Sequence, residues 1–308
     1  MSTVASTLRR GVCQLICELC MEYSIERWVD GGSRDRLAFR QAVHVILQAI
    51  SGSEYLKPKM IMKGGMLLGI RYQSTRYTED IDFSTSLKLS DIDQDVFKGE
   101  LNEQMALAIE DLGYNISCSV QSLTVQPRGG NATFPSFRLK IGYADISNQS
   151  EMNRLRSGQA PNTVKIDYSL NEVTCKTEEI TLEDGGVIAY HVTDLIAEKL
   201  RSILQQPIRN RNRRQDVFDL HFIITSASNI SVEEKMDILD SLFRKSDGKV
   251  PVDQITIDSL NQDNVRTMSL NEYELLRDEI DGELPDPDVA YGAVVDFYRS
   301  LPWDYFRR

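Results

Sequence analysis

Apolar residues recur along this chain at two different intervals, and the pattern changes near residue 191. Before that point helical spacing alternates with the every-second-residue pattern of half-buried strands. After it only helical spacing appears. Helices are predicted at Ser6–Trp28 and Asp35–Ile50, the second carrying Leu37, Val43, Ile46, Leu47 and Ile50 on an apolar face. Lys57-Pro58 closes that region; Lys59–Met62 reads as a short strand, Gly64-Gly65 as a tight turn, Met66–Tyr72 as a short helix and Asp80–Ser84 as a strand. A long helix, Asp91–Leu112, stops at Gly113. Strands are expected at Asn115–Val125, Phe134–Tyr143, Thr163–Leu170, Glu178–Leu182 and Val187–His191, with Gly129-Gly130-Asn131 turning a hairpin. Helical patterns at Asp194–Gln205, Gln215–Ser226, Val232–Phe243, Leu270–Ile280 and Val289–Leu301 complete the chain. The expected organisation is a mixed part, residues 1–190, followed by an all-helical part, residues 191–308.

Composition adds the class. At 308 residues, 41% hydrophobic and 26% charged, the chain reads as an ordinary soluble globular protein. No apolar run approaches the ~18 residues that span a bilayer, and Met1–Arg10 lacks the layout of a secretory signal. A cytoplasmic location with no membrane partner is therefore expected. The net charge of −11 argues against indiscriminate coating of nucleic acid. Positive charge is nonetheless concentrated in one stretch free of acids, where Arg201, Arg209, Arg211, Arg213 and Arg214 fall within RSILQQPIRNRNRR. Cys13, Cys17 and Cys20 have the spacing of some iron–sulfur sites, but on a helix i, i+4 and i+7 form one face, where cysteine serves as a small apolar residue. Cys118 and Cys175 stand alone and imply no disulfide framework. His44, His191 and His221 show no metal-ligand spacing and read as structural.

The chemistry gathers in Lys63–Ser84. On a strand, Asp80 and Asp82 project from the same face while Ile81 and Phe83 face the core. Two carboxylates about 7 Å apart along one edge make sense when a divalent cation sits between them, because hard cations take oxygen ligands. Upstream, a strand running through Gly64-Gly65 into a helix lets backbone N–H groups approach a phosphate, with the helix N-terminus adding partial positive charge. Arg76 and Thr78, just before the acids, can reach the same anion. A third carboxylate would complete a two-metal site, and Asp167 in Val164-Lys165-Ile166-Asp167-Tyr168 is the candidate, sharing a strand face with Lys165. Thr193 is the expected cap of the next helix, on which Glu198 and Lys199 are neighbours that need not pair. Asp216 and Asp219, at i and i+3, share a helix face near Arg213 and Arg214.

Taken in order, Gly64-Gly65 with Arg76-x-Thr78-x-Asp80-Ile81-Asp82-Phe83, Lys165-x-Asp167, Ala197-Glu198-Lys199-Leu200 and Arg214-x-Asp216-x-x-Asp219-Leu220 resemble the AbiEii / MenT-type toxin branch of the DNA polymerase β-like nucleotidyltransferase superfamily. The resemblance covers about residues 63–220. It implies an α+β fold: a polymerase β-like mixed sheet with flanking helices, then an all-helical C-terminal domain contributing Lys199 and Asp216 to the site. It implies Mg²⁺ (or Mn²⁺) held by Asp80 and Asp82, with Asp167 as the candidate third ligand. The NTP triphosphate would lie at Gly64 and Gly65, with Lys199 on phosphate and Asp216 essential at the far wall of the pocket. Arg76, Thr78, Lys165, Arg214 and Asp219 complete the expected nucleotide-binding set. The implied reaction transfers NMP to an RNA acceptor, a tRNA 3′ end, so that translation stops, and a cognate antitoxin is the implied partner. Nucleotidylation of a protein or small molecule, and a nucleotide-binding module without turnover, are the alternatives. The wider superfamily usually has serine after the first glycine; Gly65 removes one hydroxyl contact to phosphate.

Overall fold

A computed structural model describes residues 24–128, 132–182, 185–226 and 230–306. The cysteines at 13, 17 and 20, most of the first expected helix and the Gly129–Asn131 turn lie outside the described residues. What is described of the first helix, α1 (Ile25–Asp30), is a new start. Ser24 is extended, and its hydroxyl accepts from Arg27 N–H, so no helix runs through from residue 6 to 28.

The elements that follow are α2 (Leu37–Gly52), β1 (Ile61–Lys63), α3 (Gly64–Tyr72), β2 (Asp80–Ser84), α4 (Gln94–Leu112), β3 (Ile116–Gln126), β4 (Ser136–Asp145), α5 (Gln149–Arg156), β5 (Asn162–Ser169), β6 (Thr177–Leu182) and β7 (Gly185–Tyr190). The helical region then comprises α6 (Val192–Leu204), α7 (Gln206–Arg209), α8 (Arg214–Ser226), α9 (Val232–Ser246), α10 (Asp263–Leu270) and α11 (Pro287–Arg299). Seven strands form one mixed sheet in the order β3-β4-β5-β2-β1-β7-β6. β2 lies parallel to β5 and antiparallel to β1, with Asp80 opposite Lys165 and Asp82 opposite Asp167. That register puts every second residue of both strands on one face. On the other, Ile81, Phe83, Ile166 and Tyr168 are buried, and Phe97 of α4 stacks on Tyr168 with ring centroids 5.7 Å apart. α4 begins where Asp93 accepts from the Asp95 and Val96 amides and ends on Gly113 in the left-handed conformation.

Several boundaries correct the sequence reading. His191, not Thr193, caps α6: its ring nitrogen accepts from the Thr193 amide. α3 starts at Gly64 itself, so the expected turn is the first turn of the helix. α5 was not foreseen; only Leu155 of its eight residues is buried, which leaves no apolar periodicity to read. Leu270–Ile280 is not one helix, because Glu272 takes a left-handed conformation (φ 59°) between α10 and a 3₁₀ segment at Tyr273–Glu279. Among the described residues no helix is long and apolar enough to cross a membrane.

Candidate active site

On the polar face of the sheet a cleft of about 590 Å³ opens between the strands and α6–α8. Asp80, Asp82 and Asp167 line its floor. Asp82 makes no hydrogen bond or ion pair among the described residues, and burial pushes its carboxyl up to about 7 even though Lys63 opposes the shift. Burial also raises Asp80, against the pull of Lys165, whose Nζ lies 3.8 Å from Asp80 Oδ1. That oxygen is buried without a hydrogen-bond partner. Asp167 Oδ1 lies 3.2 Å from Arg138 Nε, an exposed pair.

Gly64 is required twice over. Its φ of +77° is open to glycine, and a Cβ there would overlap the Asp82 carboxylate. Lys63, the residue before α3, provides no side-chain cap. The first amides of α3 are therefore left for a ligand at the cleft edge. A Cβ on Gly65 would come within 2.5 Å of Arg76 Nη2, which gives a physical reason for glycine where serine is usual. Arg76 cannot give way, because its Nε and Nη2 both donate to Asp219 at 2.8 Å. Lys199 Nζ donates to the same carboxylate at 2.6 Å and to Asp216 Oδ1 at 3.1 Å. Burial disfavours a charged Asp219, but Lys199 and Arg76 more than offset it and hold the carboxyl at about 2. Burial likewise opposes the charges of Lys199 and Arg76, and their carboxylates reverse the shift, so both pKa values are raised. The loop bearing Arg76 and Thr78 is itself tied down from the C-terminal region: Tyr77 N–H donates to Glu279 O at 2.6 Å and Asp281 N–H to Thr75 O at 3.0 Å.

Of the residues expected from sequence, Gly64, Gly65, Arg76, Thr78, Asp80, Asp82, Asp167, Lys199, Asp216 and Asp219 all line this one cleft. Arg214 does not. It turns away to Glu272 (3.1 Å) and Glu279 (3.5 Å). Lys165 lies outside the lining as well, between Glu79 and Asp80. Asp219 accepts from both Arg76 and Lys199 and so holds these two cations together. Sequence reasoning missed the pair of Lys63 Nζ with Glu198 Oε1 at 2.9 Å, which joins the strand before the glycines to α6. Burial resists both charges, yet each raises or lowers the other toward the ionised form, aided at Glu198 by Lys245 and Arg201. The only sequence signal was a lysine in a strand otherwise made of apolar residues.

Metal binding can be tested against the donor set. Among the described residues no three acidic, histidine or cysteine side chains draw together closely enough to cage an ion. The three-carboxylate cage expected from sequence is therefore not closed, since Asp167 is engaged by Arg138. Magnesium, however, is usually bound by one or two carboxylates plus substrate phosphates and water. Asp82, with no partner among the described residues, and Asp80, whose buried Oδ1 makes no hydrogen bond, share one strand face and fit that requirement.

The family model described as "Nucleotidyl transferase AbiEii toxin, Type IV TA system" matches residues 46–295. Among solved structures, JHP933 from Helicobacter pylori is similar at 16% identity, with 87% of this chain and 92% of that chain covered and a TM-score of 0.49. MenT4, a nucleotidyltransferase toxin from Mycobacterium tuberculosis H37Rv, is similar at 11% identity, with 90% and 97% covered and a TM-score of 0.45. No curated protein matches the sequence.

Proposed function

The chain belongs to the AbiEii nucleotidyl transferase toxin family of type IV toxin–antitoxin systems, and on that premise we propose that it transfers NMP from an NTP to the 3′ hydroxyl of an RNA, a tRNA end, and thereby stops translation. The observation that carries the transfer chemistry is the common face of β2 and β5. Asp80, Asp82 and Asp167 stand there in register, beside a glycine-initiated helix N-terminus. The acceptor is suggested by Arg209 and Arg211, which line the cleft, are exposed and reach no carboxylate among the described residues, and so suit a polyanion.

Asp80 and Asp82 would hold Mg²⁺ or Mn²⁺, and Asp167, beside Arg138, would face the acceptor. When bound, the ion supplies charge to the phosphates and acidifies the acceptor hydroxyl. The α3 amides at Gly64 and Gly65 bind the triphosphate tail. Lys199, steadied by Asp219, offers it a fixed positive charge. Arg76, held by Asp219 beside Gly65, adds to the same field. The acceptor oxygen attacks the α-phosphorus, the bond from that phosphorus to the bridging oxygen breaks, and pyrophosphate leaves. The acceptor's proton passes to the Asp167 carboxylate, which is half-exposed and can hand it to water.

The test is incubation of the chain with each labelled NTP and Mg²⁺ or Mn²⁺, with total RNA in one arm and lysate protein in the other. Label on RNA that vanishes in Asp80→Ala supports the reading. Label confined to protein or small molecules overturns the RNA acceptor. A cognate antitoxin, the partner that the family's name entails, would relieve growth arrest when co-expressed.

A further inference from the structure

Beyond Asp167, toward Ser169 and Phe134, the cleft has a second end with an excess of positive charge. Arg201, Arg209 and Lys249 meet only two carboxylates there: Arg201 lies 3.7 Å from Glu198, which Lys63 also holds at 2.9 Å, and Lys249 takes Glu172. Arg209 reaches no carboxylate among the described residues. Arg201 is only 7% exposed, and its Nε is buried with no hydrogen-bond partner. Burial, followed by the crowding of Arg201 and Arg213, lowers the pKa of Arg209; burial and Arg201 lower that of Lys249. Such a cluster is stable only if an anion shares it or water screens it, and a buried Arg201 is poorly screened. An uncharged base or ribose would leave the excess in place. A phosphate removes it, and guanidinium groups suit phosphate geometry.

The two ends of the cleft lie on opposite sides of the Asp82–Asp167 row. Arg76 and Thr78 precede Asp80 on β2, whereas Ser169 and its strand partner Ser136 follow Asp167. One NTP tail at the glycine turn therefore leaves the second end vacant for another phosphate. Exposed Arg211 also lines the cleft and adds a further cation, so the anion it suits is a chain of phosphates rather than a single one. Phe134, half-buried beneath Lys249 Nζ (4.4 Å from its ring centroid), adds an aromatic surface beside the cations, a combination suited to unpaired bases.

We propose that Arg201, Arg209 and Lys249, with Phe134 beside them, form the acceptor subsite of this enzyme and take the phosphodiester next to the reacting 3′ hydroxyl of a single-stranded RNA. The assignment rests on the transfer reading but is tested apart from it, by binding. A short fluorescein-labelled single-stranded RNA is titrated by anisotropy with the full chain, without NTP, over a series of salt concentrations. Calorimetry with a non-hydrolysable NTP analogue runs in parallel. Arg209→Gln, at an exposed position that folding tolerates, should weaken RNA binding about 3- to 10-fold. It should also lower the slope of log affinity against log salt by about 0.7, one single-strand phosphate contact. Lys249→Gln should act in the same direction, while affinity for the NTP analogue moves less than about twofold. RNA affinity and slope unchanged in Arg209→Gln overturn the subsite. So does an equal loss of NTP-analogue affinity, which would assign these cations to the nucleotide's own phosphates, and so does a wild-type chain that binds no RNA but labels protein. Pyrophosphate release by the wild-type chain is scored separately, and its absence with every acceptor sinks the transfer reading whatever the anisotropy shows.

Discussion

Replacing Asp219 with asparagine keeps the volume of the side chain and removes the one charge that both Arg76 and Lys199 lean on. The carboxylate is 1% exposed and accepts three hydrogen bonds, two from Arg76 at 2.8 Å and one from Lys199 at 2.6 Å. Removing one partner of a buried ion pair costs about 3–5 kcal/mol, because the remaining charge is left without compensation. A second route gives a lower figure: holding the carboxyl at about 2 against an ordinary 3.8 corresponds to roughly 2 kcal/mol. An amide still accepts one hydrogen bond, so a loss of about 3 kcal/mol is expected, or about 4–8 °C in melting midpoint for a chain of this size. The pKa of Asp219 is depressed in the fold, so its contribution is present above the unfolded value and is lost as pH falls toward 2. The gap between wild type and Asp219→Asn should therefore be constant in neutral buffer and close in acid. Thermal melts followed by circular dichroism, repeated with Arg76→Gln and the double variant, measure this. The double variant should be less destabilised than the sum of the singles. Equal midpoints for wild type and Asp219→Asn at pH 7, or strict additivity in the cycle, would refute the idea that this carboxylate holds the two cations in place.

Gly64→Ala should lose at least ~100-fold in pyrophosphate release and about 2 kcal/mol in stability, since it meets both a left-handed backbone and the Asp82 carboxylate; wild-type turnover would contradict it. Gly99→Ala, on an exposed part of α4 where an added Cβ meets nothing within 4 Å, should instead stabilise by about 0.5–1 kcal/mol in urea denaturation. Asp82→Asn should reduce transfer by ~10³-fold or more while leaving the melting midpoint in metal-free buffer unchanged or higher, because it replaces a desolvated carboxylate that has no ion-pair partner. His44, 1% exposed, meets Tyr114 Oη at 2.8 Å and lies 3.6 Å from Glu26, and burial lowers its pKa against the pull of Glu26. The neutral ring is favoured in the fold, so stability is full above the ordinary histidine value of 6.5 and declines as pH drops below it. His44→Gln should flatten that decline, and an unchanged pH profile of urea midpoints would count against it.

The sequence made β2 and the glycine turn legible because each carries a local rule: alternation for Asp80 and Asp82, a pair of side-chain-free residues before a helix for Gly64 and Gly65. Strand β5 was legible for the same reason, although nothing local said that it would lie beside β2 rather than β4 alone. What escaped were interactions set by the tertiary arrangement. Lys63 and Glu198 are 135 positions apart, and neither has a neighbour in sequence that betrays the pair. Asp219 looked like a ligand residue because two acids on one helix face invite a partner; the partners proved to be Arg76 and Lys199. Arg214 belonged by spacing to the arginine run, yet the turn of α8 aims it at Glu272 and Glu279. Helix α5 failed to show itself because it is amphipathic about a single leucine, and the break at Glu272 because a left-handed glutamate has no sequence signature.

The grip of Glu279 and Asp281 on the loop at residues 75–77 sets when during synthesis that loop can be tied down. While a ribosome is still elongating the chain, the acidic strand and the glycines are made early, but the backbone ties on the loop that carries Arg76 form only after residue 281 has emerged. A chain cut before Glu279 would keep the acidic strand and the glycines but lose the two backbone ties on the loop at residues 75–77.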